Sequence, residues 1–199
     1  EAIGAELLLA GRDFGFSRLE QQQWSFHFHP QAPDFSDGLM RNRNALPVPA
    51  LRGAYQLGNA ACALAVIECL NAELPIDIGA IKRGLLLVSN PGRFQVLPGR
   101  PLVILDVGHN PHAARALRQG LMALPFAEKR IAVFSMLADK DIDAVIEIVK
   151  DQFDEWYLAP LALPRGQSAQ AQAQKLEAHG IGHVHCLKNV VKNLHQLTF

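Results

Sequence analysis

The sequence predicts an α/β fold with a C-terminal, Rossmann-like, mostly parallel sheet flanked by helices. Two observations support this prediction. Beyond residue 90, short apolar runs typical of strands alternate with helical segments, as in parallel sheets with right-handed crossovers. Before it, alternating apolar and polar residues predict a small β-sheet followed by helices. We therefore expect two domains, 1–90 and 91–199, divided by the breaker sequence SNPG at 89–92.

The N-terminal domain contains three predicted strands and two predicted helices. Apolar and polar residues alternate over 14–18 and 24–28, which predicts two strands. A stretch rich in Pro, Asn and Arg over 39–49 predicts a short edge strand and a loop. Residues 53–70 predict a helix that is apolar nearly all round, which indicates a buried position. Residues 75–88 predict a second helix with a proline near its start.

The C-terminal domain begins with two predicted strands, 94–97 and 101–107, joined by a turn at Pro98-Gly99-Arg100. The apolar run over 102–107 indicates a buried strand. The elements predicted after it are a helix over 111–124, a strand over 131–137, a helix with an apolar face from 142 to 149, a strand over 153–158, a helix over 168–178 and a strand over 183–186. Ligands bind at the carboxyl ends of parallel strands, which here are the turn after 105 and the loop at 138–141.

Composition excludes several classes of function. The formal net charge is +0, so there is no electrostatic basis for binding nucleic acid or an anionic membrane. No apolar run approaches the roughly 20 residues of a membrane helix, and the first residues lack the features of a signal peptide. The 3 cysteines form an odd set without metal-ligand spacing. We therefore expect a cytoplasmic protein that binds neither nucleic acid nor membranes.

The strongest candidate chemistry lies where the apolar run ends. Asp106 and His109 follow that run, and Asn110 with the proline after it is a good start for a helix. Free N–H groups at a helix start favour an anion, typically a phosphate. From the residues alone, Asp106 is equally well explained as a turn cap, and His109 as a turn residue. His109 and His112 form an H-x-x-H pair, but no third ligand stands at a sensible spacing, so we expect no metal site.

Five segments together resemble a known enzyme family. They are PGRFQ at 91–95, LDVGHNPHAA at 105–114, QLGNAA at 56–61, MLADKD at 136–141, and WYLAP with PRG over 156–166. In order and spacing they resemble the C-terminal part of folylpolyglutamate synthase/dihydrofolate synthase, of the Mur ligase superfamily. Two positions depart from the family pattern: Gly108 stands where the family usually has Ala, and Tyr55 where it often has His.

The resemblance implies an ATP-dependent amide ligase. Such an enzyme activates a carboxylate as an acyl phosphate and joins it to the amine of L-glutamate, and the implied acceptors are dihydropteroate and tetrahydrofolate (poly)glutamates. The implied cofactors are ATP and Mg²⁺. Residues 1–90 would be the C-terminal part of the central ATPase domain, and 91–199 the glutamate ligase domain without its last strand.

The chain contains no G-x-x-x-x-G-K-[ST] sequence, the loop whose lysine holds the β- and γ-phosphates. In the family that loop and most metal ligands lie in the N-terminal ATPase domain. We therefore interpret these 199 residues as a fragment with no catalytic residue of its own, inactive alone. We expect the intact enzyme to be a monomer.

The resemblance also assigns four ATP contacts. Asn59 would contact the adenine, since an amide offers a donor and an acceptor together. Arg93 would bind a phosphate through its planar guanidinium. The second Pro-Gly-Arg sequence ends at Arg100 but is not followed by Phe-Gln, so Arg100 receives no role. Asp106 would bind a ribose hydroxyl and His109 a phosphate.

Three further residues are weaker candidates for contact with ATP or glutamate: Gln56, Asn110 and Lys140. Gln56 lies three residues before Asn59, on the same helix face, and buried amides often serve only the structure. Lys140 lies between two aspartates, either of which is a good N-cap for the next helix.

Two alternative functions stay open. One is a Mur-type ligase acting on a peptidoglycan precursor, although the Ala-Asp-Lys-Asp and Trp-Tyr-x-Ala-Pro segments favour the folate branch. The other is a stand-alone nucleotide-binding or interaction module. The lack of a G-x-G-x-x-G sequence argues against a dinucleotide-binding fold.

Overall fold

The structure, a computed structural model, describes residues 7–19, 22–31, 41–53 and 55–188. The chain forms two compact units, Glu1–Pro91 and Gly92–Phe199. The described part of the first unit holds an antiparallel sheet and two helices, and that of the second holds a parallel sheet, a β-hairpin and three α-helices. The predicted α/β class is confirmed.

The sheet of the first unit has the order β1-β2-β3, with antiparallel neighbours. Its strands are β1 (Phe14–Arg18), β2 (Gln23–Phe28) and β3 (Arg41–Pro47), which confirms the predicted strands. Alternate side chains of β2 are buried, because successive residues of a strand point to opposite faces. They are the aromatic rings of Trp24, Phe26 and Phe28.

Two helices complete the first unit, α1 (Gln56–Cys69) and α2 (Ile78–Leu87). One face of α1 packs on the sheet through Leu57, Ala60, Ala61, Leu64 and Ala65. The opposite face is open, and Val66 is 58% exposed. The predicted burial of this helix is therefore found on the face that packs on the sheet, whereas the face with Val66 is exposed in this chain.

Two fully buried carboxylates of the first unit both have partners. Asp13 accepts hydrogen bonds from Arg12 and from the backbone N–H groups of Leu9 and Gln31, at 2.7 and 3.0 Å for the last two. These bonds, the one from Arg12 above all, lower the pKa of Asp13 to about 2. Glu68 of α1 forms ion pairs with Arg41 and Arg43 of β3. Neither buried charge lacks a partner, as the cost of desolvation requires.

The second unit contains a parallel sheet of order β6-β7-β8. Its strands are β6 (Ile131–Phe134), β7 (Glu155–Leu158) and β8 (Val184–Cys186). Both pairs of neighbours are parallel. The predicted parallel sheet is thereby confirmed.

The strand predicted over 101–107 differs from the expectation. The structure gives β4 (Gln95–Leu97) and β5 (Val103–Leu105) as an antiparallel pair that forms a sheet of its own. Val103 and Leu105 are 40% and 43% exposed, so the prediction of a buried strand in the parallel sheet is wrong. The short turn between β4 and β5 allows only an antiparallel pairing. The apolar run by itself shows neither the direction of the strand nor whether other elements bury it.

The helices of the second unit are α3 (Pro111–Met122), α4 (Ile142–Val149) and α5 (Ala169–Ala178), with a 3₁₀ turn at Lys150–Gln152. Each α-helix begins after a residue whose side-chain oxygen accepts a backbone N–H three residues on, which satisfies one donor of the first turn. These residues are Asn110, Asp141 and Ser168.

The core of the second unit lies between the parallel sheet and the helices packed on it. The apolar face of α4 joins Trp156 and Leu158 of β7 and Leu176 of α5.

None of the helices in the described ranges combines the length and the apolar character needed to cross a bilayer.

Candidate functional site

The turn at 92–94 is tied to the end of β5 by Asp106. One carboxylate oxygen of Asp106 accepts a hydrogen bond from the backbone N–H of Phe94 at 2.9 Å, and the other accepts from Gly108 at 2.7 Å. The N–H of Val107 donates to the carbonyl of Gly92 at 2.8 Å. The Pro-Gly-Arg-Phe and Asp-Val-Gly-His segments therefore form one connected pair of loops. Asp106 acts here as a backbone cap, and its remaining lone pairs are the ones available to a ligand.

Gly108 makes this arrangement of Asp106 compatible with the chain. A Cβ atom at Gly108 would lie 2.7 Å from a carboxylate oxygen of Asp106 and 2.9 Å from the Cβ of Ala113. Both distances are shorter than real Cβ contacts allow. Glycine at this position thus leaves room for the bond from the N–H of Gly108 to Asp106.

Arg93 extends from the tied turn into solvent. Its neighbour Phe94 is 5% exposed and has a φ of +44°, a conformation that a residue other than glycine holds only when its surroundings fix it. The guanidinium of Arg93 forms no hydrogen bond or ion pair with the other described residues. The anchored turn thus presents a guanidinium that no described carboxylate compensates, which suits the binding of an anion.

His109 and Asn110 lie at the start of α3. The side chain of His109 is exposed, and its Nδ1 lies 3.1 Å from the carbonyl oxygen of Val107. The side-chain oxygen of Asn110 accepts from the N–H of Ala113 at 2.9 Å, so it is already used as the cap. The structure brings His109 and Asp106 to the same strand end, as predicted, although that end belongs to the β4-β5 hairpin.

Gln56 and Asn59 lie on one face of α1, in the first unit. The amide nitrogen of Asn59 donates to the side-chain oxygen of Gln56 at 3.1 Å. Gln56 is buried and Asn59 is exposed. Asn59 therefore keeps an accessible side-chain oxygen, whereas Gln56 serves mainly to orient it.

Lys140 lies in the loop at 137–141, after β6. Its Nζ is 3.5 Å from a carboxylate oxygen of Asp139, which also forms an ion pair with Arg165 at 2.6 Å. Desolvation would raise the pKa of Asp139, but the charges of Arg165 and Lys140 outweigh it and the pKa is lowered. Both positive charges at this loop thus share one carboxylate partner, Asp139.

Two residues that the sequence analysis did not select build this edge of the sheet. Gln172 of α5 is fully buried, and its side-chain oxygen accepts from the N–H of Met136 at 3.2 Å. Its amide nitrogen donates to Ser135 and to the carbonyl of Ala159, each at 3.3 Å. Gln172 thereby joins the carboxyl ends of β6 and β7. The available signal was a glutamine on an otherwise apolar helix face.

Arg165 is the second such residue. Besides its ion pair with Asp139, its carbonyl accepts from the N–H of Ala138 at 2.9 Å, beside a bridge between Leu137 and Gly166. The loop after β7 is in this way fixed to the loop after β6. The available signal was its place in the Pro-Arg-Gly segment that resembles the family.

A metal site does not emerge from this part of the chain. Among the described residues, no three His, Cys, Asp or Glu side chains are grouped so as to hold an ion. The described residues therefore do not by themselves provide a site for a Mg²⁺ ion.

Comparison with known proteins identifies the family. A family model described as "Mur ligase, glutamate ligase domain" matches residues 92–198. The chain belongs to the Mur ligase family. Dihydrofolate synthase/folylpolyglutamate synthase of Escherichia coli is 39% identical over 162 residues, which cover 80% of this chain and 36% of that protein. The protein of that name from Haemophilus influenzae is 37% identical over 143 residues, or 62% of this chain and 32% of the relative.

Solved structures agree with this assignment. E. coli FolC in complex with ADP superposes with a TM-score of 0.78 at 32% identity, covering 97% of this chain and 42% of that one. The ligand-free bifunctional enzyme from Yersinia pestis gives a TM-score of 0.76 at 37% identity, covering 98% and 42%. The resemblance to the folylpolyglutamate synthase/dihydrofolate synthase family is confirmed. The chain spans about two fifths of the length of these structures.

Proposed function

We propose that this chain is the C-terminal part of an ATP-dependent ligase that adds L-glutamate to dihydropteroate and to tetrahydrofolate (poly)glutamates. The observation that carries the proposal is that Asp106 joins the turn at 92–94 to the loop after β5 within a glutamate ligase domain, and that this turn exposes Arg93, which has no partner among the described residues. Related structures support the ligands. FolC of E. coli is known with DHPP and ADP, and a bifunctional relative with Mn, AMPPNP and L-glutamate.

The reaction has two steps. The γ-phosphoryl group of ATP passes to a carboxylate oxygen of the folate, and ADP leaves. The amine of L-glutamate then attacks the carbonyl carbon of the acyl phosphate, a C–N bond forms, and phosphate leaves with the loss of a proton from the nitrogen. A divalent metal such as Mg²⁺ neutralises phosphate charge in such reactions. Catalysis of this kind depends mainly on positioning and on neutralising charge.

Four residues of this chain would act on ATP. Arg93 binds phosphate oxygens, and no carboxylate in the described part of the chain competes for its charge. His109, exposed at the start of α3, donates to a phosphate. Asp106 holds the loop pair and accepts from a ribose hydroxyl with a free lone pair. Asn59 contacts the adenine through its exposed amide.

The weaker candidates have supporting roles in this scheme. Gln56 orients Asn59 through their mutual hydrogen bond. Asn110 caps α3 and so shapes the helix start beside His109. Lys140 would contact ATP or glutamate only after its attraction to Asp139 is weakened.

The test compares this chain with the intact ligase, meaning the complete product of its gene. Each is supplied with ATP, Mg²⁺, L-glutamate and dihydropteroate, and the amide product and ADP are measured. We expect product from the intact ligase and none from the chain alone. Turnover by the chain alone would contradict our placing of the phosphate-binding lysine outside it.

A second set of assays tests the two alternative functions, a peptidoglycan precursor ligase and a nucleotide-binding module. The intact ligase is offered a peptidoglycan precursor in place of the folate, and ADP binding is measured on the chain alone. Use of the precursor but not of dihydropteroate would replace the folate assignment. ADP binding without any ligase activity in the intact protein would favour a nucleotide-binding module.

A further inference from the structure

Gly120 lies in the last turn of α3, where glycine is a poor helix former. A Cβ atom at Gly120 would lie 2.7 Å from Cζ and 2.8 Å from Cδ2 of Phe94, and closer still to Cε2. Real Cβ atoms essentially never approach other atoms within 3.0 Å. The ring of Phe94 therefore occupies the space that any other residue at 120 would need.

Phe94 has little freedom to give way. It is 5% exposed, its φ is +44°, and its backbone N–H donates to Asp106 at 2.9 Å. A ring displaced from α3 must either become exposed or move the backbone that Asp106 holds. Arg93 is the preceding residue, so a shift of that backbone redirects its guanidinium.

We propose that Gly120 is a positioning residue for Arg93. Because Gly120 has no side chain, the ring of Phe94 packs directly against α3. This packing fixes the turn from which Arg93 reaches an ATP phosphate. This inference rests on the proposed function, in which Arg93 binds phosphate.

The test introduces Gly120→Ala into the intact ligase. We expect the KM for ATP and the Kd for ADP to rise about tenfold, because small misplacements of a binding group carry large kinetic costs. The KM for glutamate should stay within about twofold, since the Phe94 contact acts on the phosphate-binding turn. Gly84→Ala in α2 is the matched control, because a Cβ there meets nothing within 4 Å and should change neither constant.

Two combined variants test the route of the effect. In an Arg93→Ala background, Gly120→Ala should add nothing to the loss of ADP affinity, because its effect passes through Arg93. Phe94→Leu alone should also weaken ADP binding, since the smaller side chain leaves the space beside Gly120 partly empty. Gly120→Ala with Phe94→Leu should bind ADP better than either single variant, because the added methyl fills the vacated volume.

The outcomes separate this inference from the proposed function. If Arg93→Ala leaves ADP affinity unchanged, the phosphate role of Arg93 is wrong. Suppose that Arg93→Ala weakens ADP binding. The positioning role of Gly120 is then overturned if Gly120→Ala alone leaves ADP affinity unchanged, or if it lowers ADP affinity as much in the Arg93→Ala background as in the wild type. Should Gly120→Ala not fold, Phe94→Leu decides the matter, and unchanged ADP affinity in that variant overturns the proposal.

Discussion

Two loops of the second unit carry basic residues, and they hold them differently. The turn at 92–94 is fixed through its backbone by Asp106, and Arg93 forms no ion pair within the described residues. The loop at 137–141 is fixed through its side chains, because Asp139 pairs with both Lys140 and Arg165. Anchoring through the backbone leaves the charge of a basic side chain available to a ligand, whereas anchoring through side chains pairs that charge with a carboxylate of the protein. An anion that binds the second loop competes with Asp139 for the two cations, whereas no described carboxylate competes for Arg93.

The largest effect should follow from removing Arg93. In the intact ligase, Arg93→Ala should cost about 1.5–3 kcal/mol of nucleotide binding, the usual loss for a hydrogen bond to a charged group. Arg100→Ala should cost almost nothing, because Arg100 lies in the turn of the β4-β5 hairpin and has no such anchoring. Steady-state kinetics in ATP on both variants provide the comparison. Equal effects would show that the wrong copy of Pro-Gly-Arg was assigned.

The next largest effect concerns the anchor itself. Asp106→Asn replaces one of two carboxylate acceptors by an NH₂ group, so the N–H of Phe94 or Gly108 loses its partner. We expect a loss of about 1–2 kcal/mol in the free energy of unfolding, together with a higher KM for ATP. His109→Ala should reduce turnover but leave the unfolding temperature unchanged, because that side chain is exposed. Wild-type stability in Asp106→Asn would mean that Asp106 does not anchor the turn.

A smaller effect is expected at the second loop. Lys140→Ala should change the KM for ATP and glutamate by less than about fivefold, because a charge already paired contributes roughly 1 kcal/mol or less at a surface. Lys150→Ala is the control, since Lys150 also pairs with a carboxylate, Glu147, on the surface. A loss as large as that of Arg93→Ala would erase the distinction between the two loops.

The smallest effect is a change in titration. The pKa of Asp139 lies below its ordinary value of 3.8, because the charges of Arg165 and Lys140 outweigh desolvation. The stabilisation from this pair is therefore full above about pH 4 and is lost as the pH falls through the lower pKa of the folded state. Arg165→Ala should move the pKa of Asp139 upward, and Arg165→Lys should largely preserve it. NMR titration of the Asp139 carboxyl carbon measures both, and an unmoved pKa in Arg165→Ala would refute the pairing.

Local sequence patterns predicted most elements of this fold. Alternation located β1 and β2, and the Asn110-Pro111 pair located the start of α3, because strands and helix caps follow from neighbouring residues. The exposure of β5 and of one face of α1 was not predicted. Both depend on what covers an apolar surface, which an apolar run does not encode.

The candidate site, like the fold, contains residues that the sequence predicted and residues that it did not. Arg93, Asp106 and His109 were selected because their segments resemble the family's motifs, and Asp106 and His109 also follow the end of an apolar run. Gln172 and Gly120 were missed because their roles depend on distant partners. Gln172 meets Met136, 36 residues away in sequence, and Gly120 matters only through the ring of Phe94. Contacts of this kind leave no periodic trace in one sequence.

The buried Glu68 restricts how the first unit can change during evolution. It shares its charge with Arg41 and Arg43, on a strand more than twenty positions earlier in the chain. Loss of one member of such a buried set typically costs about 3–5 kcal/mol, yet exchange of the whole set for apolar residues can be neutral. Substitution of Glu68 alone, which would leave both arginines without their partner, should therefore be purged, while joint replacements survive. Descendants of this chain are expected to inherit the three residues together or to have lost them together.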